Sequence, residues 1–292
     1  MVLKDFFRII KNKLIEFLFT SKISLYLNPF IGFLVSLRFL NVWEGVYGRW
    51  EDAPQDHNVL ESKIWVHRIT EQAKKDLAVY HSEKRGSLAS STQDYILSLA
   101  AGVLTSSTED DLRVIDFGGG MGASYLPLIS SMPDPEKVEF HIVELKTICD
   151  LARNCLGEFL KLHFHEKLPK LSKPVHIIHA GSSIQYISDW KGLLKEFANY
   201  QPKILILEDL LAGEIPTFIT TQNFYGKKVR SRFLNINELI KEVQALGFEL
   251  TYRSRCTQNF LSKKGGALPM KNFSSQYQLR YGAHLMFRRV ES

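Results

Sequence analysis

The sequence is poor in cysteine and lacks the spacings through which cysteine usually acts. It has 3 cysteines in 292 residues (Cys149, Cys155 and Cys256), and none of them forms a CxxC pair. This odd, scattered set argues against a disulfide scaffold or a zinc site and favours a reducing compartment. There is also no GKS or GKT, no HExxH and no serine–histidine–aspartate signature. These absences remove several common hydrolase interpretations, and we expect no metal.

Long hydrophobic runs are also missing. The longest uncharged run, Ile23 to Leu37, is interrupted by Asn28-Pro29. It is shorter than the about 20 residues that a spanning helix needs. No small-residue cleavage site follows it. We therefore expect neither a signal peptide nor a transmembrane span, and predict a cytoplasmic protein that can associate with a membrane surface.

The net charge of +6 is concentrated at the two ends of the sequence. Residues 1–40 carry +4 and residues 251–292 carry +7, whereas the middle of the chain is mildly acidic. Basic ends suit an anionic partner such as membrane lipid, phosphate or an acidic sugar, although an ordinary solvated surface explains them equally well. Aromatic residues are interleaved with the C-terminal basic residues, but no nucleic-acid recognition motif accompanies them, so nucleic acid is a minority interpretation.

Residues 2–19 have the pattern of a basic amphipathic helix. Apolar residues recur at spacings of three and four: Leu3, Phe6, Phe7, Ile10, Leu14, Phe17 and Leu18. Lysine and arginine lie opposite or beside them. Such a helix can lie on an anionic membrane surface, pack on its own domain, or join a second subunit in a homodimer.

The most informative stretch runs from Val114 to Ala123 (VIDFGGGMGA). An apolar strand leads into a tight glycine turn and then into a helical pattern, the usual start of a ligand site in a doubly wound α/β domain. Gly118, Gly120 and Gly122 allow the backbone to turn sharply beneath a ligand, and Asp116 lies at the end of the strand. Both a dinucleotide and S-adenosylmethionine (SAM) fit this turn.

Glu144 strengthens the case for a nucleotide-like ligand. It ends the next apolar strand, at the distance where an acidic residue is expected to bind ribose hydroxyls. A glycine turn without any ligand is the third, structural interpretation.

Strands and helices alternate from residue 112 onwards. We predict strands at 112–117, 138–143, 161–164, 175–180, 203–207, 248–255 and 282–289, and helices from the glycine turn to about 131 and at 146–159, 190–199 and 235–247. Gly213 to Gly226 is interpreted as a loop, and Asn235 to Glu238 as a capping pattern. The alternation predicts a parallel sheet, and the final two strands an antiparallel pair.

Three segments are predicted. Residues 1–40 form a basic helical extension, 41–108 a helical cap with helices at about 58–81 and 91–104, and 109–292 the α/β domain. Trp43, Tyr47, Trp50 and Arg85 in the cap are candidates to line the site, although packing between cap and domain explains each aromatic residue more simply.

About 110 residues precede the glycine turn and one α/β unit follows it. This layout favours a Rossmann-like, seven-strand class I methyltransferase fold over a dehydrogenase, and SAM over a nicotinamide cofactor.

The sequence resembles a family of largely uncharacterised SAM-dependent methyltransferases whose genes often lie in surface-polysaccharide (O-antigen-like) loci. The resemblance covers about Trp43 to Tyr252. It rests on WEGVYGRWEDA at 43–53, VIDFGGGMG at 114–122, SSIQYISDW at 182–190, and TQN at 221–223 with the later ALGF at 245–248. The resemblance implies the fold and cofactor and, through gene association alone, methylation of a hydroxyl on a saccharide or glycolipid precursor. Glu208-Asp209 replaces the basic or proline-containing turn that such proteins often carry after the fifth strand.

Candidate site residues follow from their positions at strand ends. For the cofactor they are Asp116, Gly118, Gly120, Gly122, Glu144, Glu166, Ser182 and Ser183; for catalysis, His179, Tyr186, Glu208 and Asp209; for the acceptor, Gln185, Gln222, Asn223, Trp43, Tyr47 and Arg85. The structural alternative for His179 is a buried core histidine. For Gln222 and Asn223 the alternative is that their side chains hydrogen-bond to loop backbone and cap it. Two rival functions stay open: a noncatalytic scaffold of polysaccharide assembly with this fold, and an NAD(P)-dependent oxidoreductase.

Overall fold

The structure is a computed structural model that describes residues 41–84, 86–91, 95–105, 111–256 and 267–290. The predicted extension at 1–40 and the candidate residue Arg85 lie outside the described residues. The strands in chain order are β1 Trp43–Tyr47, β2 Leu112–Phe117, β3 Val138–Val143, β4 Leu162–His165, β5 Ile177–Gly181, β6 Ile204–Leu210, β7 Ala212–Gly213, β8 Phe218–Phe224, β9 Lys227–Asn235, β10 Phe248–Cys256 and β11 Gly282–Arg289. The helices are α1 Lys63–Tyr80, α2 Gly86–Ser91, α3 Ile96–Thr105, α4 Tyr125–Ser131, α5 Lys146–Leu156, α6 Trp190–Asn199 and α7 Ile236–Gln244.

Seven strands form the central sheet, in the order β10-β11-β6-β5-β2-β3-β4. β2 pairs in parallel with β3 and β5, and the parallel pairing continues to β4 on one side and β6 on the other. β11 is inserted between β6 and β10 and is antiparallel to both. The prediction of an α/β fold with the seven-strand class I methyltransferase sheet is confirmed, including the antiparallel last strand.

Hydrophobic side chains cover both faces of this sheet. On one face, α3, α4 and α5 pack with Val114 and Phe140 of the sheet in one buried cluster. On the other, α6 and α7 contribute Phe197 and Leu239 to a second buried cluster that contains Ile178. Because both faces are covered, the central strands read as almost continuous apolar runs. That burial is why their positions were predictable from the sequence.

A second sheet, of four strands, has the order β1-β8-β9-β7. β8 and β9 form an antiparallel hairpin whose turn residues Tyr225 and Gly226 have φ values of 49° and 81°. The prediction of a loop over 213–226 is therefore wrong for its second half. The segment is polar, which suggested a loop, but Thr220 and Thr221 are buried and donate hydrogen bonds to Glu44 O and Pro54 O at 3.1 and 3.3 Å.

The cap segment is less helical than predicted. Its first element is β1, which pairs antiparallel with β8. The helix predicted at about 58–81 is a single 3-10 turn, Val59–Glu61, followed by α1, and the helix predicted at 91–104 lies at Ile96–Thr105. Within the described part of the chain, no helix is both long and apolar enough to cross a membrane.

Candidate functional site

A cavity of about 840 Å³ lies at the carboxyl ends of the central strands. The glycine turn after β2 forms its floor, and the ends of β3, β5 and β6 supply further lining residues. Trp65 and Ile69 of α1 and Phe224 at the end of β8 also line it. In open α/β sheets, ligands bind at this end of the strands. The cavity is therefore the candidate site.

Close packing fixes the glycine turn. Gly118, Gly120 and Gly122 have φ values of 74°, 57° and 80°, which side-chain-bearing residues rarely adopt. A Cβ at Gly118 would lie 2.6 Å from Ser183 Cβ, and one at Gly119 would lie 2.3 Å from Asp116 Oδ2. At Gly120 a Cβ would meet nothing within 4 Å, so this backbone faces open space. One side of the turn thus packs on Asp116 and Ser183, and the other side leaves backbone atoms uncovered.

Glu144 lies beside this turn, immediately after β3. Its Oε1 accepts a hydrogen bond from Gly120 N at 3.2 Å, and its Oε2 accepts one from Leu145 N at 2.8 Å. Burial raises the pKa of Glu144, although the two backbone hydrogen bonds oppose that effect. The carboxylate is only partly enclosed and lines the cavity. It is placed to accept hydrogen bonds from a ligand that lies on the glycine turn.

Glu166 also lines the cavity, just after β4. Its side chain is 52% exposed, and its carboxylate lies 3.9 Å from Lys146 Nζ. Glu166 is thus a rim residue rather than an enclosed one.

Asp116, His179 and Glu208 form a buried array beneath the cavity. His179 Nδ1 lies 2.7 Å from Asp116 Oδ1, and His179 Nε2 lies 3.1 Å from Glu208 Oε2. Ser124 donates a short hydrogen bond to the other oxygen of Asp116. These contacts come from the ends of β2, β5 and β6, which parallel pairing brings side by side.

The charge state of His179 follows from its two neighbours. Burial lowers the pKa of the imidazole, but the nearby carboxylates of Asp116 and Glu208 more than offset this and raise it to about 10. His179 is therefore an imidazolium at neutral pH and cannot accept a proton from a substrate. It compensates the charge of two carboxylates and holds them in place.

Glu208 is the member of the array with spare hydrogen-bonding capacity. Its Oε1 is buried and has no hydrogen-bond partner among the described residues. The predicted fifth strand ended at Leu207, whereas β6 continues to Leu210 and carries Glu208 within the sheet. Asp209 does not line the cavity: its Oδ1 accepts a hydrogen bond from Cys256 Sγ at 3.2 Å, and its backbone N donates to His284 Nδ1.

The stretch after β5 also supplies part of the cavity lining. Ser182, Ser183 and Tyr186 line the cavity. Ser183 Oγ is buried without a hydrogen-bond partner among the described residues. Burial strongly raises the pKa of Tyr186, whose hydroxyl donates to Gln222 Oε1 at 2.8 Å. Tyr186 is thus a neutral phenol at ordinary pH.

Besides Asp209, six candidate residues are placed away from the cavity lining: Gln185, Gln222, Asn223, Trp43, Tyr47 and Trp50. Gln185 is buried and donates to Ser182 Oγ and Asp209 O, which ties the loop after β5 to the end of β6. Asn223 donates to Asn41 O at 2.8 Å. Trp43 is 1% exposed and packs edge-on against Phe233 in a separate hydrophobic cluster. These side chains therefore support the second sheet and the loops rather than facing the cavity.

Sequence reasoning missed the cap-side wall of the cavity. Trp65 and Phe224 pack edge-on with ring centroids 5.2 Å apart, and both line the cavity. Asp76 lies further along α1, and burial raises its pKa. The apolar stripe of α1 was a signal for Trp65, but its partner Phe224 is 159 positions away and belongs to a hairpin that was not predicted.

No protein-family model and no curated protein matches the chain. Solved structures similar to it include the Burkholderia thailandensis 1,6-didemethyltoxoflavin-N1-methyltransferase with S-adenosylhomocysteine bound (12% identity, TM-score 0.46, 82% of this chain and 93% of that one). The glycopeptide N-methyltransferase MtfA in complex with SAM has 15% identity and a TM-score of 0.43, covering 66% of this chain and 93% of that one. The [4+2]-cyclase SpnF has 15% identity and a TM-score of 0.46, covering 67% and 80%. The fold assignment itself rests on the strand order of the central sheet.

Proposed function

We propose that this chain is a SAM-dependent methyltransferase that uses the cavity at the carboxyl ends of the central strands. The observation that carries the proposal is the pairing of a bare glycine turn with Glu144, whose carboxylate lies against Gly120 N. A bound nucleoside cofactor uses both features. The carboxylate accepts hydrogen bonds from the two neighbouring ribose hydroxyls, and the rest of the ligand lies on the bare backbone of the glycine turn. Asp116 beneath the turn and Glu166 at the rim complete the proposed cofactor residues.

The excess of carboxylates favours a cationic cofactor. Asp116, Glu144 and Glu208 all line the cavity, and within it His179 offsets part of their charge. When bound, SAM supplies a methyl group activated by its sulfonium charge. A carboxylate-rich wall stabilises such a cation, whereas it repels the pyrophosphate of a dinucleotide. For this reason we favour SAM over NAD(P).

Glu208 is the proposed general base for a hydroxyl acceptor. Its Oε1 is buried and has no hydrogen-bond partner in the described part of the chain, so it can accept the hydrogen of an incoming hydroxyl. His179, held as an imidazolium, donates a hydrogen bond to Glu208 Oε2 and keeps the carboxylate oriented. Ser182, Ser183 and the neutral Tyr186 orient the reacting groups, since positioning alone supplies much of the acceleration in a displacement reaction.

The acceptor we propose is a hydroxyl of a saccharide or glycolipid precursor of a surface polysaccharide, methylated at the cytoplasmic face of a membrane. Support comes from the family resemblance of the sequence and from the aromatic pair Trp65 and Phe224 at the cavity, since aromatic faces pack well against sugar rings. The basic residues within 1–40 would contact anionic lipid.

Titration calorimetry tests the cofactor. The purified protein is titrated with S-adenosylhomocysteine and, in parallel, with NADH. We expect binding of the former only, weakened by about a hundredfold in Glu144→Ala, because charge-assisted hydrogen bonds are lost. Glu136→Ala, which changes an exposed carboxylate in the turn before β3, is the matched control and should bind normally. Binding of NADH alone would overturn the proposal.

Turnover tests the catalytic part. The protein is incubated with SAM and a panel of nucleotide sugars and lipid-linked glycans, and release of S-adenosylhomocysteine is measured. We expect turnover with an acceptor from this panel, and a loss of about 100-fold or more in kcat for Glu208→Gln with little change in affinity for S-adenosylhomocysteine, whose sulfur carries no positive charge. Cofactor binding without turnover on any acceptor would favour the scaffold.

A further inference from the structure

A second cluster of chemically active side chains lies on β3 and β4, apart from the cavity lining. Glu139 and His141 are two residues apart on β3 and so point to the same face of the sheet. His163 of β4 is the parallel register partner of His141. His165, two residues further along β4, lies on this face as well. The sequence interpretation assigned none of these residues to a metal.

Three ligand atoms of this cluster converge. His141 Nε2 lies 3.4 Å from Glu139 Oε1, and His163 Nε2 lies 3.9 Å from the same oxygen. The ligand atoms of all three residues lie within 4.8 Å of one another. Ligands of a tetrahedral zinc ion are about 3.4 Å apart, given bonds of 2.0–2.2 Å. The arrangement is thus close to a coordination shell and requires only a small inward movement of the His163 ring.

Neighbouring groups orient two of the ligands. Arg113 Nε donates to Glu139 Oε2 at 2.7 Å, which leaves Oε1 directed at the histidines. His141 Nδ1 lies 3.0 Å from His165 Nε2, a contact that fixes the imidazole ring. When His141 Nδ1 donates in this contact, its Nε2 carries a lone pair. Outer partners of this type are usual around metal ligands, because they hold rings and carboxylates in the binding orientation.

The inner atom of the cluster lacks a partner. The His141 side chain is 4% exposed, and its Nε2 has no hydrogen-bond partner in the described part of the chain. This buried imidazole nitrogen lies 3.4 Å from a carboxylate oxygen of Glu139, an arrangement that a cation between them would stabilise.

The cluster is open to solvent on one side. His163 is 41% exposed and Glu139 is 23% exposed, and β4 is the edge strand of the central sheet. An ion can therefore reach the cluster from water, and a water molecule can fill a fourth position.

We propose that Glu139, His141 and His163 bind a divalent transition-metal ion of the zinc class. Two imidazoles and one carboxylate are a common ligand set for zinc, and harder ions such as Mg²⁺ prefer oxygen ligands. The ion joins the edge strand β4 to β3. It is separate from the proposed cofactor, although both strands end beside Glu144 and Glu166 at the cavity.

Titration of the untagged, chelator-treated full chain with Zn²⁺ and with Co²⁺ tests this proposal. We expect one ion per chain by calorimetry and the visible absorption of a tetrahedral Co²⁺ site without a thiolate charge-transfer band. His163→Ala should weaken binding by at least about tenfold. His57→Ala, which removes an exposed histidine of the cap segment, should leave it unchanged. Zinc should raise the melting temperatures of the wild type and of His57→Ala equally, and that of His163→Ala by less.

Three results would overturn the proposal. They are the absence of binding to the wild type, equal binding by His163→Ala, and a thiolate band that points to Cys149, Cys155 or Cys256. The side chain of His163 is partly exposed on an edge strand, so the variant should fold, and a circular dichroism spectrum checks this. The spectrum of Co²⁺ on the wild type is independent of any variant.

Discussion

His179 carries a buried positive charge between two carboxylates, and that charge makes stability depend on pH. The folded-state pKa of about 10 lies above the ordinary value of 6.5. The folded state therefore holds this proton more tightly, and the stabilisation is complete below pH 6.5 and lost as the pH rises through 10.

We predict that the free energy of unfolding of the wild type falls between pH 7 and 10 by up to about 1.4 kcal/mol per pH unit on account of His179. His179→Gln keeps a hydrogen-bonding side chain but removes the titration, so its stability should fall less over the same range. Urea denaturation at pH 7, 8, 9 and 10 measures both proteins. Parallel pH profiles would contradict a shifted pKa at His179.

Gly119 is the residue of the glycine turn with the least room. A Cβ there would lie 2.3 Å from Asp116 Oδ2, and Asp116 is held by Ser124 and His179. We predict that Gly119→Ala lowers the free energy of unfolding by about 1–3 kcal/mol, a usual cost of overpacking, and abolishes S-adenosylhomocysteine binding. Urea denaturation and calorimetry measure the two effects.

Gly102 is the control for that substitution. It lies exposed within α3, where an added Cβ meets nothing within 4 Å. Gly102→Ala should therefore stabilise the protein by about 0.5–1 kcal/mol and leave binding intact. If Gly119→Ala were as stable as the wild type, the tight packing of the turn on Asp116 would be disproved.

At the scale of elements, α7 depends on the residue that caps its N-terminus. Asn235 Oδ1 accepts hydrogen bonds from Asn237 N and Glu238 N, each at 3.0 Å. The side chain also donates from Nδ2 to Ile215 O at 2.9 Å, which ties the helix to the loop before β8. The capping pattern predicted from the sequence at 235–238 is confirmed.

We predict that Asn235→Ala lowers the free energy of unfolding by about 1–2 kcal/mol, because the helix loses its cap and the loop loses a donor. Asn237→Ala, an exposed substitution in the first turn of the same helix, should change it by less than about 0.5 kcal/mol. Thermal and urea denaturation compare them. Equal effects of the two substitutions would mean that the cap does not stabilise the helix.

Elements with a local signal were predictable, and those that depend on distant partners were not. The helix at 190–199 and the strand at 282–289 were predicted with the observed bounds, since apolar periodicity marks them. β8 and β9 were missed because their buried threonines, Ser231 and Arg232 look solvent-exposed in the sequence. Their turn, Tyr225-Gly226, also lacks the asparagine or aspartate that usually marks a hairpin.

The same distinction, between features with a local sequence signal and features that depend on distant partners, holds within the site. The glycine turn, Asp116 and Glu144 follow from one stretch and its neighbour, so the sequence predicted their proximity. The role of His179 as a charged bridge was not predictable, because it depends on Glu208 lying on the adjacent strand. The zinc-class cluster was missed for the same reason: its ligands meet only through the register of β3 with β4.

At the scale of the whole molecule, the basic residues within 1–40 lead to a prediction about membrane association. We predict that the full chain floats with vesicles containing anionic lipid and that deletion of residues 1–20 releases it, because a cationic amphipathic segment is lost. Flotation in low salt measures this, with neutral phosphatidylcholine vesicles as the control. Unchanged flotation of the shortened chain would refute the membrane role of that segment.

The insertion of β11 between β6 and β10 has a consequence for synthesis of the protein. While the polypeptide leaves the ribosome, β6 and β10 already exist but the strand that separates them does not. Until Gly282–Arg289 emerges, one side of β6 is a hydrophobic strand edge with unpaired amides, the kind of surface on which nascent chains aggregate. The sheet therefore cannot be completed before β11 has been synthesised, and the protein's yield in a cell should depend on chaperones that shield such edges.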